Sequence, residues 1–174
     1  MPISGTISDH MRPLAEYPHI NADATLRDVF VMLKERYDAA LQFRSVLVFD
    51  KTQRLLGKIS LHDLLKILLP DYLTHLPAHF EGADSDLSSL AMLWQEDSVE
   101  HVREIASQRV GDHVRPAAAP LKPEDPLTLA LYRFANSDFN TIPIAEGQRI
   151  VGVIRIVDVL AAVATTVVDE GGAA

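Results

Sequence analysis

The sequence contains no cysteine among its 174 residues. That absence excludes disulfides, thiolate-ligated zinc, iron–sulfur clusters and thiol catalysis together. It accords with a reducing compartment, and a cytoplasmic location is expected. Basic residues are also in short supply, with 16 Lys and Arg against 24 Asp and Glu, a net charge of -8. No run of Lys and Arg offsets this, so neither nucleic acid nor an anionic lipid surface is an expected partner. Long apolar runs are missing too. The longest near the C-terminus, Val159 to Val168, is about half of the roughly 20 residues a membrane span needs. The first thirteen residues show no basic patch followed by an apolar core, so no signal peptide is expected. Only 8 glycines occur, and none forms a nucleophile elbow, a phosphate loop with lysine or a dinucleotide fingerprint. Carboxylates are plentiful, but none pair at a spacing that separates an acid from a base. The expectation is a non-enzymatic protein. What is present, 48% hydrophobic and 23% charged residues, is the composition of an ordinary globular chain.

The chain repeats itself. Asp9-His10-Met11-Arg12-Pro13 returns as Asp112-His113-Val114-Arg115-Pro116, from 9 to 112, an offset of 103. Thr25-Leu26 corresponds to Pro126-Leu127, an offset of 101. Phe43 to Val48 corresponds to Phe139 to Ile144, an offset of 96, and Gly57-Lys58-Ile59 with His62-Asp63 to Gly152-Val153-Ile154 with Val157-Asp158, an offset of 95. Small insertions in the first copy make the offset fall in steps. Repeats that keep their order along a chain indicate a duplicated structural unit.

Each copy has the same grammar. Leu26, Val29, Phe30 and Leu33 recur at helical spacing, as do Leu127, Ala130, Leu131 and Phe134. A β-rich run follows, Ser45 to Phe49 or Thr141 to Ala145, then a polar turn, a second strand at Leu55 to Ile59 or Ile150 to Ile154, and a closing helix opening at Ser60 or Arg155. A unit of roughly 55 residues is marginal alone. The expected fold is therefore α/β (α+β), with tandem β-α-β-β-α repeats packed through their sheets in pseudo-twofold symmetry. Repeat 1 spans 7–69, a helical insertion 70–108, repeat 2 109–165, and a flexible acidic tail 166–174. Within the insertion, Asp84-Ser85-Asp86 reads as a helix start, and Asp97 with Glu100 has capping-box spacing.

Ser60-Leu61-His62-Asp63 is the sharpest constellation. Ser-x-x-Asp at a strand-to-helix junction is a capping box. The same geometry offers helix N–H groups to a phosphate, and a carboxylate that can accept both hydroxyls of a ribose. Both readings can hold together. Among the histidines, His75 and His79 have helical metal-ligand spacing, but Pro77 between them argues against a regular helix. No metal site is expected. His10 and His113 recur and read as structural, bonding backbone at the start of each repeat. Trp94 reads as packing.

The repeated grammar, with Ser60-x-x-Asp63 after a Gly-x-Ile strand and Ile142-Pro143-Ile144 before an acidic turn, resembles the cystathionine β-synthase (CBS) domain over about 7–69 and 109–165. CBS domains pair into Bateman modules that commonly bind AMP, ADP, ATP or S-adenosylmethionine in the clefts between repeats. They usually regulate another protein. The resemblance implies a stand-alone regulatory module with no required cofactor, acting on an unknown effector protein. It also implies two candidate clefts. In one, Asp63 holds ribose, Ser60 meets phosphate, and Ser45 and Val46 line the adenine. In the other, Asp158 holds ribose and Thr141, Ile142 and Pro143 lie along the base. Arg155 stands where Ser or Thr is usual; a guanidinium only donates, so it either blocks the cleft or grips polyphosphate. A homodimer is expected, with the apolar residues of the closing helices, Leu64 to Leu69 and Val159, Leu160 and Val163, as its candidate surface unless they only cover their own sheets. The competing reading is a ligand-free module for dimerisation or partner binding.

Overall fold

The computed structural model describes residues 5–35, 43–74 and 84–171. His75 and His79 lie outside them. A single turn of 3-10 helix at Ile7–Asp9 leads into β1 (Arg12–Pro13), and another at Leu14–Glu16 leads into β2 (His19–Asn21). Then come α1 (Leu26–Glu35), β3 (Ser45–Phe49), β4 (Leu55–Ser60), α2 (Leu61–Leu68) and α3 (Asp71–Thr74). The long helix α4 (Asp84–Ala106) follows, then a 3-10 turn at Val110–His113, α5 (Leu127–Ala135), β5 (Thr141–Glu146), β6 (Arg149–Arg155) and α6 (Ile156–Gly171).

Two three-stranded sheets result, ordered β2-β3-β4 and β1-β6-β5. In the first, β2 runs parallel to β3 with Ile20 beside Val48, and β3 and β4 form an antiparallel hairpin. In the second, a parallel bridge from Leu121 to Ile144 takes the place of the β2 pairing, and β5 and β6 form the hairpin. The tandem architecture is thus the one the repeated grammar implies.

The sheets face each other with helices outside. Val46, Val48 and Ile59 pack outward against Leu26, Val29 and Leu64. Ile142, Ile144 and Ile154 do the same against Leu127, Ala130, Phe134 and Val159. Between the sheets, Leu47 and Phe49 meet Tyr17, Ile150 and Val153. Strand β3 is therefore buried along its whole length, which is why it reads as a continuous apolar run rather than an alternation.

The two copies of Asp-His-x-Arg-Pro cross over. β1 precedes repeat 1, yet it pairs antiparallel with β6 of repeat 2, Arg12 opposite Val153 and Pro13 opposite Gly152. Arg115 precedes the strands of repeat 2, yet it exchanges two backbone hydrogen bonds with Lys58 of repeat 1, at 2.8 and 2.9 Å. The cores cross in the same sense. Ile7 is fully buried among residues of repeat 2, and Val110 among residues of repeat 1. The crossings need glycine. A Cβ on Gly57 would lie 2.2 Å from the Arg115 carbonyl oxygen, and one on Gly152 would lie 2.4 Å from that of Arg12.

Two expectations are corrected. The Asp97–Glu100 spacing starts no helix. No Gly or Pro interrupts 84–106, so α4 runs through it, and Ser98 bonds the Gln95 carbonyl within the helix. The segment expected as a flexible tail from 166 is helical as far as Gly171, as a continuation of α6. Thr165 and Thr166 return their hydroxyls to the carbonyls of Ala161 and Ala162, and no breaker precedes the closing glycines. Among the described residues, no helix is long and apolar enough to cross a membrane.

Gly57→Ala is expected to lower stability by about 3 kcal/mol, because the obstacle is a backbone carbonyl that cannot rotate away. Urea unfolding measures this, and an unchanged midpoint would contradict the close crossing.

Candidate functional site

The Asp63 cleft is built on a capping box. Ser60 is the N-cap of α2, in extended backbone. Its Oγ accepts from the Asp63 N–H at 3.0 Å, while Asp63 Oδ2 accepts from the Ser60 N–H at 3.0 Å and from the Ser60 hydroxyl at 2.6 Å. Asp63 Oδ1 faces the crossed linker, with Arg115 Nε at 3.9 Å. Lys58 lies on the same strand end, its Nζ 5.0 Å from the ring centre of Phe139. Burial pushes the Asp63 carboxyl up, but the Ser60 hydrogen bonds and the Arg115 and Lys58 charges outweigh it and hold the group below its ordinary value. Burial lowers Lys58, against the opposing pull of Asp63. The result is a carboxylate with one outward oxygen, two cations and an aromatic ring, contributed by both repeats and one linker.

The Asp158 cleft has the same plan and a different occupant. Arg155 pairs with Thr141 across the hairpin, as Ser60 pairs with Ser45. Its guanidinium folds back on Asp158, with Nε 2.7 Å from Oδ2 and Nη2 2.6 Å from Oδ1. The backbone N–H of Arg155 also reaches Oδ2, at 3.2 Å. Arg12, the crossed-linker counterpart of Arg115, lies with Nε 3.7 Å from Oδ1. The guanidinium also sits 5.8 Å from the ring centre of Phe43, the counterpart of Phe139. Arg155 is 6% exposed, and its hydrogen bonds to Asp158 hold it charged more firmly than an ordinary arginine, against the opposing effect of burial.

The CBS domain family matches residues 7–70 and 110–165, both repeats. The chain belongs to the CBS domain family. No curated protein matches significantly. Solved CBS structures share the fold. A CBS domain-containing protein from Kribbella flavida is 18% identical, with a TM-score of 0.68, 91% of this chain covered and 98% of that one. CBSX2 in complex with AMP is 18% identical, with a TM-score of 0.61, 92% of this chain covered and 97% of that one. CbpB in complex with c-di-AMP is 16% identical, with a TM-score of 0.61, 98% of this chain covered and 91% of that one.

Within this CBS pair, the residues singled out from sequence fall into two groups. Ser60 and Asp63 come together, as do Arg155 and Asp158. Ser45 and Thr141 start their central strands, both nearly inaccessible. Val46 and Ile142 turn their side chains into the helix-side cores, and Pro143 is buried in β5, its carbonyl accepting from Leu121 N–H. Sequence reasoning missed the residues that cross over: Arg12, Arg115, Lys58, Phe43 and Phe139. The repeated Asp-His-x-Arg-Pro carried the signal for the two arginines. His113 bonds the Gln108 side chain at 2.7 Å rather than backbone, and His62 is exposed.

Tyr17 ties the halves together. It is fully buried, and its hydroxyl lies 2.9 Å from Ser45 Oγ and 3.4 Å from Thr141 Oγ1, so one phenol joins the two central strands. Burial raises the phenol above its ordinary value, against the lowering effects of Ser45, Thr141 and Arg155.

A further cleft of about 940 Å³ opens at the hairpin-turn end, away from both carboxylates, lined by Arg54, Leu55, Ala117, Ala118, Arg149 and Ile150 among others. Its pseudo-symmetric counterpart, about 400 Å³, is narrower because Phe49 and Leu14 stand where the larger one has Ala145 and Ala117.

Tyr17→Phe should cost about 1–2 kcal/mol, since it leaves two buried hydroxyls short of a partner. Chemical denaturation reads this directly; a neutral substitution would show that the phenol bridge adds nothing.

Proposed function

We propose that this CBS pair is a regulatory, non-catalytic module that senses an adenosine-containing ligand in the Asp63 cleft and signals to a partner protein. The observation that carries the reading is Asp63 itself. Its Oδ2 is fixed by Ser60, which leaves Oδ1 to accept from a ribose, and the α2 N-terminus lies beside it. Lys58 and Arg115 put two positive charges around that single carboxylate. This favours AMP, ADP or ATP over the cationic S-adenosylmethionine. The AMP complex of CBSX2 and the c-di-AMP complex of CbpB, both of the same fold, support an adenine nucleotide. Binding changes the output only by favouring one conformation over another.

The reading includes a homodimer. Of the closing-helix residues, Leu64 and Val159 cover their own sheets, whereas Leu65, Val157, Leu160, Val167 and Val168 are exposed. On α6 these last four form one face at helical spacing, which a second copy would cover. The ligand-free alternative draws on Arg155, which ties up the carboxylate of one of the two clefts.

In a thermal-shift series, AMP or ATP at 100 times its dissociation constant should stabilise the chain by about 2.7 kcal/mol. Asp63→Ala should abolish that stabilisation and calorimetric binding while keeping the native circular dichroism spectrum. Full binding by that variant would reject the assignment. Leu160→Glu should convert the dimer to monomer in light scattering; a wild-type chain that is already monomeric at micromolar concentration would reject the dimer.

A further inference from the structure

We infer that Arg155 is a built-in occupant of the Asp158 cleft, so that each chain offers one nucleotide site and this single side chain sets the number. The inference rests on the nucleotide reading above. A ribose diol needs carboxylate oxygens that are free to accept. Both oxygens of Asp158 are already engaged by the Arg155 fork, at 2.7 and 2.6 Å, and Oδ1 also faces Arg12. Such paired charge-assisted bonds are the strong class of hydrogen bond. The guanidinium is planar and lies against Phe43, so the same group also occupies space beside the aromatic wall. At the matching position of the other cleft, Ser60 ends at its hydroxyl and leaves Asp63 Oδ1 outward. The carboxylates reflect this, with the Asp63 side chain 21% exposed and that of Asp158 10%. A cavity of about 470 Å³, lined by Arg12, Asp158 and Ala162 among others, remains beside the fork, so a ligand could enter there. To engage the carboxylate, its ribose would have to break both bonds of the fork and displace a nearly inaccessible cation.

Titration calorimetry on the full chain with AMP and with ATP tests this. The wild type should bind one nucleotide per chain. Arg155→Ser rebuilds the Ser-x-x-Asp box and should bind two, and Arg155→Ser combined with Asp63→Ala should return to one. Arg155→Gln, which keeps the alkyl stem and a polar end but is shorter and loses the charged fork, serves the same purpose if the serine variant does not fold. A stoichiometry of one in Arg155→Ser and Arg155→Gln alike would overturn the inference. So would a wild type that binds two ATP and loses one on substitution, which would make Arg155 a polyphosphate grip. A wild type that binds nothing, with an Arg155→Ser variant that binds one nucleotide sensitive to Asp158→Ala, would uphold Arg155 as the occupant of the Asp158 cleft while rejecting the Asp63 reading and, with it, the count of one site per chain. No binding by any variant would reject both.

Discussion

Two carbonyl oxygens, those of Arg12 and Arg115, pass over two glycines of the opposite repeat, and the rest of the molecule depends on that crossing. Gly152 and Gly57 have no Cβ to obstruct them. Each linker can therefore pair with the last strand of the other repeat and carry its own apolar anchor, Ile7 or Val110, into the other core. The repeats are not two beads with a shared face. Each completes its partner, which answers the difficulty that a unit of this size has too little core to stand alone.

The crossing also assembles the clefts. Pairing Arg115 with Lys58 brings a guanidinium beside Asp63, and pairing Arg12 with Val153 brings another beside Asp158. Up to this point the halves are symmetric. They diverge at the strand position that pairs with the linker, Lys58 against Val153, and at the N-cap. Ser60 closes a reciprocal box with Asp63, whereas Arg155, unable to accept a hydrogen bond, reaches round to grip the carboxylate through its side chain. A fold with two equivalent clefts thus becomes chemically asymmetric, most sharply through the exchange of serine for arginine at the N-cap. Tyr17 sits between, hydrogen-bonded to the first residue of both central strands, so the interior separating the clefts is a packed and polar-satisfied seam.

Much of the architecture was legible because the duplication repeats both the periodicity and the order of elements. The strand–turn–strand segments and the Leu26 and Leu127 helices are local patterns and were readable as such. The crossing was not, because partners far apart in the chain, Lys58 with Arg115 and Arg12 with Val153, leave no mark on local periodicity; only the repeated Arg-Pro hinted that something outside the strands was being kept. The site was half legible. Ser-x-x-Asp spacing alone is a weak pointer, since Thr6 with Asp9 and Thr25 with Asp28 form the same hydrogen-bonded arrangement elsewhere in this chain. What sets Asp63 apart is tertiary: the arrival of Arg115, Lys58 and Phe139. For Val46 and Ile142, the two faces of a doubly buried strand are indistinguishable in sequence, so which one turns toward the cleft had to come from the fold.

Native-state hydrogen exchange at the amides of Lys58 and Arg115 tests the crossing most directly. These two N–H groups bond to each other's carbonyls across the repeats. Both are expected to exchange only through global unfolding, with protection rising and falling together as denaturant is added. Exchange at the rate of an open loop, or protection of Lys58 without Arg115, would contradict the account.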